Sequence, residues 1–239
     1  MPAPRGPDAE RLAAADRAID NVRDYTPYIS RGGAKRKEIA LTFDDGPGPT
    51  TPALLRYLIS NGVPATFFLV GKAIGEHPEL VLREADAGFT LAAHTERHAR
   101  LASKTVARQE LEIMASADRI TRFTGHAVRL FRPPYGSFDA NTLEILRASR
   151  MLMVLWSVDP NDYSAKRTAP IVSATLAGVR SGSIVLLHDG PGPRPLTLKA
   201  VRRIVTTLRA RGYRFVSLPK LLHDNPPARR QPLPNKPGG

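Results

Sequence analysis

Short apolar segments alternate with longer amphipathic segments through the middle of the chain. The short segments are near-continuous apolar runs, the pattern of strands in a parallel sheet that is covered on both faces. The seven predicted strands are 39–43, 66–70, 89–93, 130–131, 152–156, 184–187 and 215–218. Because helical patterns fill the gaps between them, we predict an α/β fold, a distorted parallel β/α barrel of about seven strands in a single domain.

Two of the predicted helices have recognisable ends. The first begins at Thr51, where an N-cap residue precedes a proline in the first helical position, and it ends before Gly62. The last is expected over residues 196–209. It turns four apolar side chains inward: Leu198, Val201, Val205 and Leu208.

Both ends of the chain differ in pattern from the predicted barrel. Residues 1–37 are expected to form an N-terminal extension, with an amphipathic helix over 8–24 and a basic, glycine-containing joint after it. Residues 38–223 form the predicted domain. Residues 224–239 are rich in proline and basic, so we expect a mobile C-terminal tail.

Composition limits the possible classes of protein. A length of 239 residues, 42% of them hydrophobic, suits one large domain with short extensions. The chain has no cysteine, which excludes a disulfide framework, a thiolate nucleophile and a cysteine metal site. No apolar run is long enough to predict a transmembrane segment, and the first residues lack the apolar stretch of a secretory signal.

The formal net charge is +13, and basic residues are concentrated near the C-terminal end. Eight lysines or arginines and no acidic residue lie between Asp189 and Asp224. These residues predict a basic face that attracts anionic polymers. The alternative is a solvated helix surface without a partner.

Two carboxylates and two histidines each follow a predicted strand. Asp44 and Asp45 come after the first strand, and adjacent carboxylates are costly to hold together unless a cation neutralises one of them. His94 and His98 come after the third strand, and their spacing places them on one side of a helical turn, close enough to bind one metal ion. A capping aspartate and an exposed histidine pair remain the structural alternatives, and the same ligands also suit a non-haem iron oxygenase.

Three further motifs also follow strands. Arg132 opens Arg-Pro-Pro-Tyr-Gly, where it could hold a carboxylate in a bidentate pair and where the turn could direct amide N–H groups at a reacting oxygen. An apolar strand delivers His188, and a carboxylate such as Asp162 could raise the pKa of this histidine so that it serves as a general acid. Trp156 lies in an apolar run and is expected to pack in the core.

Together, the five motifs resemble those of a known family. T-F-D-D-G-P, H-T-x-x-H, R-P-P-Y-G, D-x-x-D-Y and I-V-L-L-H-D, in this order, are similar to the motifs of the polysaccharide deacetylases, carbohydrate esterase family 4, with the NodB homology domain. The resemblance covers roughly residues 38–222 and implies a distorted β/α barrel. Ala93 and Tyr163 stand where the family commonly has asparagine and tryptophan.

The resemblance implies a metal centre and a general base. Asp45, His94 and His98 would bind a divalent metal ion, most commonly zinc. Asp44 would act as the base and would be held by Arg132.

The resemblance also implies an acid and a substrate pocket. His188 would act as the general acid, tuned by Asp162. The backbone N–H of Tyr135 would stabilise the oxyanion. Tyr163 and Leu186 would line the pocket for the acetyl methyl group.

The implied activity is metal-dependent removal of N-acetyl groups from N-acetylglucosamine-containing polysaccharide, either chitin-type oligomers or peptidoglycan. Two alternatives stay open: an O-deacetylase of the acetylxylan esterase type, and a catalytically idle protein that binds anionic polymers. The expected partners are the carbohydrate substrate and, through the basic face, an anionic cell-wall polymer, while no nucleic acid is expected. We expect an extracytoplasmic location, with the signal or anchor outside this sequence, and keep a cytoplasmic one as the alternative.

Overall fold

The structure, a computed structural model, describes residues 7–234. Residues 1–6 of the predicted extension and 235–239 of the predicted tail lie outside the described residues. The strands are β1 Tyr28–Ile29, β2 Glu38–Asp44, β3 Ala65–Leu69, β4 Thr90–Ala93, β5 Leu130–Phe131, β6 Leu152–Val154, β7 Ile184–His188 and β8 Arg214–Phe215. The helices are α1 Pro7–Arg23, α2 Thr51–Ser60, α3 Gly71–Glu76, α4 Pro78–Asp86, α5 Val106–Thr124, α6 Ala140–Ala148, α7 Thr168–Gly178, α8 Pro195–Ala210 and α9 Leu218–Asp224.

The strands form one curled parallel sheet. Its order is β1-β6-β5-β4-β3-β2-β7, and β8 pairs with the beginning of β2. The two ends of the sheet approach each other, because Val158 bridges Val185 of β7 and Arg31 bridges Ser183 just before β7. This arrangement confirms the predicted distorted parallel β/α barrel.

The longer strands were predicted well because they are fully buried. Every residue of β2, β3 and β7 is buried, which explains why these strands appear as continuous apolar runs. β1 has only two residues, too few for a recognisable pattern, and was not predicted.

The prediction of a strand over 215–218 is wrong in its second half. β8 ends at Phe215 and a short helix, α9, begins at Leu218. Ser217 caps this helix by accepting a hydrogen bond from the backbone N–H of Lys220, and Pro219 lies in its first turn. The apolar residues therefore continue from a strand into a helix, a change that periodicity over so short a segment does not show.

Two predicted helices are close to those observed. α2 begins at Thr51, although its N-cap is Thr50, and it ends at Ser60. In α8 the side chains of Val201, Val205 and Leu208 are buried as predicted, whereas Leu198 is only partly buried. Among the described helices, none is both long enough and apolar enough to cross a membrane.

The expectation of a mobile tail is wrong for residues 225–234, which we call the C-terminal segment. The side-chain oxygen of Gln231 accepts hydrogen bonds from the backbone N–H groups of Ser30 and Arg31, at 3.2 and 3.3 Å. The hydroxyl of Tyr28 donates to the backbone oxygen of Gln231 at 2.9 Å. β1 is at the edge of the sheet, and Gln231 satisfies backbone groups beside it that no strand pairs with.

The N-terminal helix also lies against the barrel. α1 packs on α9, and Ala18, Ile19 and Val22 of α1 belong to the main hydrophobic core. The hydroxyl of Tyr25 donates to the backbone oxygen of Pro227 at 2.9 Å, so the two ends of the chain contact each other. The boundaries at residues 37 and 223 stay a prediction, but the segments on both sides of them share packing.

Candidate active site

The polar motifs meet at the carboxyl ends of the strands. Asp44 is the last residue of β2 and lies opposite His188, the last residue of β7. His94 directly follows β4, and Arg132 directly follows β5. Because parallel strands end at the same edge of a sheet, these side chains are brought together as the sequence predicted.

Three side chains form a cluster that could hold a metal ion. One ligand atom each of Asp45, His94 and His98 lies within 4.8 Å of the other two. Oδ1 of Asp45 is 3.0 Å from Nε2 of His98 and 3.4 Å from Nε2 of His94. Asp45 and His94 are buried, and His98 is partly exposed.

Each histidine of the cluster is oriented through its other ring nitrogen. Nδ1 of His94 lies 2.7 Å from the backbone oxygen of Arg132, and since a carbonyl can only accept, this nitrogen carries the proton. Nε2 of His94 is then the nitrogen that faces Asp45. Nδ1 of His98 lies 3.1 Å from the hydroxyl of Tyr135. Such outer contacts fix the ring and the tautomer of a metal-binding histidine.

The two histidines do not lie on a helical turn, so that part of the prediction is wrong. The segment from His94 to His98 is an irregular loop, in which Thr95 and His98 have φ values of 63° and 55°. The loop is fixed from outside: Glu96 forms an ion pair with Arg119 of α5, with N–O distances of 2.9 and 2.8 Å. A backbone folded back in this way brings the two imidazoles together without a helix.

Two atoms of the cluster lack hydrogen-bond partners among the described residues. Oδ1 of Asp45 and Nε2 of His98 are both buried and lie 3.0 Å apart, but their geometry is not that of a hydrogen bond. Burial alone would raise the pKa of Asp45, but the two histidines outweigh it and hold this pKa well below its usual range. An ionised carboxylate and two imidazole nitrogens suit a divalent cation and leave a coordination position open.

Asp44 is held by a buried cation. Nη1 of Arg132 donates to Oδ1 of Asp44 at 2.6 Å. Arg132 is completely buried and also donates to Oγ1 of Thr42, at 2.8 Å, and to two backbone oxygens of the β6 region. The other carboxylate oxygen of Asp44 is 3.8 Å from Nε2 of His94. One oxygen is therefore fixed and the other lies near the cluster.

His188 is held by a second buried carboxylate. Nδ1 of His188 lies 2.7 Å from Oδ1 of Asp162, and the backbone N–H of His188 donates to Oδ2 of the same carboxylate at 2.9 Å. Thr197 of α8 donates its hydroxyl to Oδ2 of Asp162 at 2.7 Å. Three donors thus fix Asp162, and Asp162 fixes the imidazole through Nδ1.

The charge around His188 favours imidazolium. Burial by itself lowers the pKa of this histidine, but the Asp162 carboxylate, together with Asp45 and Asp44, raises it to about 9. The direction is the one expected from the sequence. At neutral pH the ring therefore carries a proton on Nε2 as well as on Nδ1.

The predicted pocket residues lie beside these groups. The ring of Tyr163 packs edge-on against the imidazole of His188, with centroids 5.3 Å apart. Leu186 is buried two residues before His188 in β7, so both side chains point to the same face of the sheet. The ring of Tyr135 packs against His98 at 4.7 Å. Trp156 is buried in the core as predicted.

Backbone strain is concentrated at these motifs. Five of the six described non-glycine residues with positive φ lie in them: Asp45, Thr95, His98, Tyr135 and Asn161. A left-handed conformation costs a non-glycine residue on the order of 1–3 kcal/mol, and such costs are concentrated at functional sites. The strained residues therefore lie at the same edge of the barrel as the candidate site.

Two buried acids near the cluster were not predicted. Asp189 is fully buried; the hydroxyl of Thr51 donates to one of its oxygens, and the other has no partner among the described residues. Burial raises the pKa of Asp189 to about 7, and nearby Asp45 adds to this effect. Glu84 of α4 is also buried with both oxygens unpaired, and burial raises its pKa well above the usual value.

The position of Asp189 explains a glycine of the first motif. A Cβ on Gly46 would lie 2.5 Å from both carboxylate oxygens of Asp189. Only glycine therefore lets the loop after β2 pass this close to the loop after β7. The sequence has a Gly-Pro pair after both β2 and β7, at residues 46–47 and 190–191, but nothing in it shows that an acid packs against the first glycine.

Comparisons with known proteins place this chain in a family. Residues 31–154 match the family described as polysaccharide deacetylase. The chain is 38% identical over 213 residues to a chitooligosaccharide deacetylase of Sinorhizobium fredii, covering 82% of this chain and 97% of that protein. It is 34% identical over 196 residues to a peptidoglycan-N-acetylglucosamine deacetylase of Bacillus cereus, covering 81% and 71%.

The solved structures agree with the sequence comparisons. The crystal structure of a peptidoglycan N-acetylglucosamine deacetylase in complex with a hydroxamate-type ligand aligns with a TM-score of 0.81 and 31% identity, covering 87% of this chain and 97% of that one. A curled parallel barrel with an aspartate and two histidines at its carboxyl edge defines the class of the protein. The chain belongs to the polysaccharide deacetylase family, carbohydrate esterase family 4.

Proposed function

We propose that this protein is a metal-dependent hydrolase that removes N-acetyl groups from N-acetylglucosamine-containing polysaccharide, either chitin-type oligomers or peptidoglycan. The observation that carries the proposal is the cluster of Asp45, His94 and His98, whose buried unpaired atoms suit a cation. Its relatives named above include deacetylases of both substrates. For peptidoglycan, which lies outside the cytoplasmic membrane, the site of action is extracytoplasmic; for chitin-type oligomers a cytoplasmic location stays the alternative.

Zinc is the metal that we propose for the cluster. Two imidazoles and one carboxylate, without thiolates, form a ligand set common to catalytic zinc sites. When bound, the metal supplies Lewis acidity towards the amide carbonyl and the attacking water. The residues that would hold it are Asp45, His94 and His98.

Asp44 is proposed as the general base. Its Oδ1 is bound to Arg132, and its second oxygen lies near the metal cluster, where the attacking water would be. The charge-assisted hydrogen bond from Arg132 fixes Oδ1 of Asp44 and leaves Oδ2 as the oxygen that would accept a proton from the water. Asp45, by contrast, faces both histidines and is proposed as a ligand.

His188 is proposed as the general acid. An amine is a poor leaving group unless it is protonated, and imidazolium at His188 can supply that proton through Nε2. Asp162 holds the ring by Nδ1, so Nε2 is the nitrogen left to face the substrate.

The remaining roles concern the acetyl group. The backbone N–H of Tyr135 is proposed to donate to the oxyanion. Tyr135 has a left-handed backbone conformation, so its N–H group belongs to neither a regular helix nor a strand. Leu186 and the ring of Tyr163 are proposed to contact the acetyl methyl group, because both lie beside His188.

The test is acetate release from N-acetylglucosamine oligomers, with acetylated xylan as the comparison. We expect release from the oligomers, loss of activity with a chelator and recovery when zinc is added back. The His98→Ala variant should lose bound metal and activity together, because only two ligands remain. Metal content can be measured by elemental analysis of the purified variants.

Each alternative has its own outcome in this test. Faster release from acetylated xylan would make the protein an O-deacetylase. If the metal-loaded protein releases acetate from none of the substrates, the remaining interpretation is a catalytically idle protein that binds anionic polymers. Stoichiometric metal retained by His98→Ala would refute the assignment of this ligand.

The basic face is proposed to contact an anionic cell-wall polymer. Its residues are Arg194, Lys199, Arg202, Arg203, Arg209, Arg211, Arg214 and Lys220. Lys199 and Arg203 are exposed on α8. Several others are engaged with the protein itself: Arg209 donates to the backbone oxygen of Asn61 at 2.7 Å, and Lys220 pairs with Asp224.

Salt should therefore lower activity on a charged wall glycan more than activity on a neutral oligomer. Exposed charges are screened beyond about 10 Å at 0.1 M salt. We expect the double variant Lys199→Ala/Arg203→Ala to reduce this difference, as measured by kcat/KM for both substrates between 0.02 and 0.3 M salt, concentrations chosen to span roughly that screening range. Equal salt dependence for both substrates in the unmodified protein would leave these residues as a solvated helix face.

A further inference from the structure

A cleft lies beside the candidate active site, and the C-terminal segment forms one of its walls. Its volume is about 410 Å³, and Trp156, Asp159 and Asn161 line it opposite Leu233 and Pro234. The cleft thus joins the loop after β6 to a part of the chain far away in sequence.

A second, smaller cleft continues from the first. Its volume is about 160 Å³, and it shares Trp156, Leu233 and Pro234 with the larger one. It extends to Tyr135 and Gly136 of the third motif. A Cβ on Gly136 would lie 3.1 Å from the indole of Trp156, so the glycine brings this turn close to the floor that both clefts share.

Both clefts border the groups proposed to act in the reaction. Asn161 directly precedes Asp162, the partner of His188, and it accepts a hydrogen bond from the hydroxyl of Tyr163 at 2.9 Å. On the other side, the hydroxyl of Tyr135 contacts Nδ1 of His98 at 3.1 Å. A polymer bound across the site would therefore pass over these clefts.

The wall formed by the C-terminal segment is fixed and apolar. Gln231 holds the segment against β1 by two backbone hydrogen bonds, and its own amide donates to the backbone oxygen of Ala228 at 2.7 Å. Two residues later, Leu233 is 56% exposed. An apolar side chain that is exposed beside a cleft contributes favourable free energy to binding when a ligand covers it.

The opposite wall is polar. Oδ1 of Asp159 accepts a hydrogen bond from the backbone N–H of Asn161 at 2.8 Å, while its Oδ2 is buried and has no partner among the described residues. Because Oδ2 is not accessible to solvent, a ligand hydroxyl would meet the accessible polar atoms of Asp159 and Asn161 that line the cleft. A cleft with one apolar wall and a few polar groups is suited to a ligand with an apolar face and a hydroxylated rim.

We propose that Leu233 and Pro234 form, with Asp159 and Asn161, a binding subsite for a sugar unit of the polymer that flanks the unit being deacetylated. A pyranose ring has the required shape: its C–H groups would cover the apolar wall, and its hydroxyls would face Asp159. This inference rests on the proposed function, because it takes the ligand to be an N-acetylglucosamine polymer. It assigns the C-terminal segment to substrate binding.

The experiment measures the binding of an N-acetylglucosamine pentamer to the zinc-loaded full chain by titration calorimetry. Asp44→Asn serves as the background, so that the ligand is not consumed. Adding Leu233→Ser should raise the Kd for the pentamer roughly fivefold, the change that about 1 kcal/mol of lost apolar contact produces. Adding Gln231→Ala, which removes the two side-chain hydrogen bonds that hold the segment beside β1, should change the Kd in the same direction.

Arg230→Ala is the matched control, because Arg230 is exposed in the same segment and lines neither cleft. Its Kd should equal that of the background. An unchanged Kd in Leu233→Ser overturns the inference, and so does a lack of pentamer binding to the background protein. A different outcome refutes the proposed reaction and still supports the subsite. It is pentamer binding that depends on Leu233, combined with no acetate release by the unmodified protein.

Discussion

Asp44→Asn should lose most of its turnover while its metal content stays near that of the unmodified protein. Asparagine keeps the shape of the side chain and can still accept a hydrogen bond from Arg132, but it cannot take a proton from water. Loss of a general base typically lowers the rate by on the order of 10²–10⁴. The measurements are kcat for acetate release and the zinc content of the same preparation.

Asp45→Asn is the matched control, because it changes the neighbouring carboxylate in the same way. This variant should lose metal as well as activity, since Asp45 faces Nε2 of both histidines and Asp44 does not. If Asp44→Asn loses metal and Asp45→Asn retains it, the roles of the two carboxylates have been assigned the wrong way round.

Folding of Asp44→Asn should be checked with the same samples. The substitution removes the only carboxylate that the described structure pairs with the buried Arg132, and breaking a buried ion pair commonly costs 3–5 kcal/mol. The remaining hydrogen bonds of Arg132, to Thr42 and to backbone oxygens near β6, keep its donors paired and should limit this loss. A thermal unfolding curve separates a destabilised protein from an inactive one.

The sequence predicted the strands that are completely buried. It did not predict the segments whose structure depends on contacts with distant parts of the chain. β2, β3 and β7 are buried at every residue, so their apolar runs are unmistakable. β1 has two residues and is defined by its pairing with β6, which no local pattern shows. The C-terminal segment has the composition of a mobile tail, yet Gln231 fixes it through contacts with residues 200 or more positions earlier.

The candidate site shows the same division. The pairing of His94 with His98 was predicted, but on a helical turn, whereas the observed loop depends on the ion pair between Glu96 and Arg119. Asp189 and Glu84 were not predicted because the sequence does not distinguish a buried acidic residue from an exposed one. Recognising them requires the packing of α2 and α4 around the loops, which appears only in three dimensions.

The two buried carboxylate pairs explain how one site can supply both a base and an acid. Asp44 accepts a hydrogen bond from the buried guanidinium of Arg132 through one oxygen, and its other oxygen faces the proposed metal cluster. Asp162 lies next to an imidazole and raises its pKa, so His188 holds a proton at neutral pH. The two groups therefore have different partners: a cation holds the carboxylate proposed as the base, and a carboxylate holds the imidazole proposed as the acid.

His188→Ala should therefore slow hydrolysis of an N-acetyl sugar far more than hydrolysis of an aryl acetate. The sugar leaves as an amine, which needs a proton, whereas the aryl acetate leaves as a stabilised phenolate. We expect a loss on the order of 10²–10⁴ on the amide and a much smaller one on the ester, with metal still bound. The measurement is kcat/KM for both substrates together with the metal content.

The pH dependence should identify the same group. Activity on the amide requires imidazolium, so it should be present below pH 9 and decline as the pH rises through the pKa of His188, about 9. Asp162→Asn removes the charge that contributes most to raising this pKa, so the basic limb of the profile should move to lower pH and kcat on the amide should fall less than in His188→Ala. Equal losses on amide and ester in His188→Ala, with an unmoved basic limb in Asp162→Asn, would show that His188 shapes the pocket or stabilises the oxyanion. The proton for the departing amine would then have to come from another group.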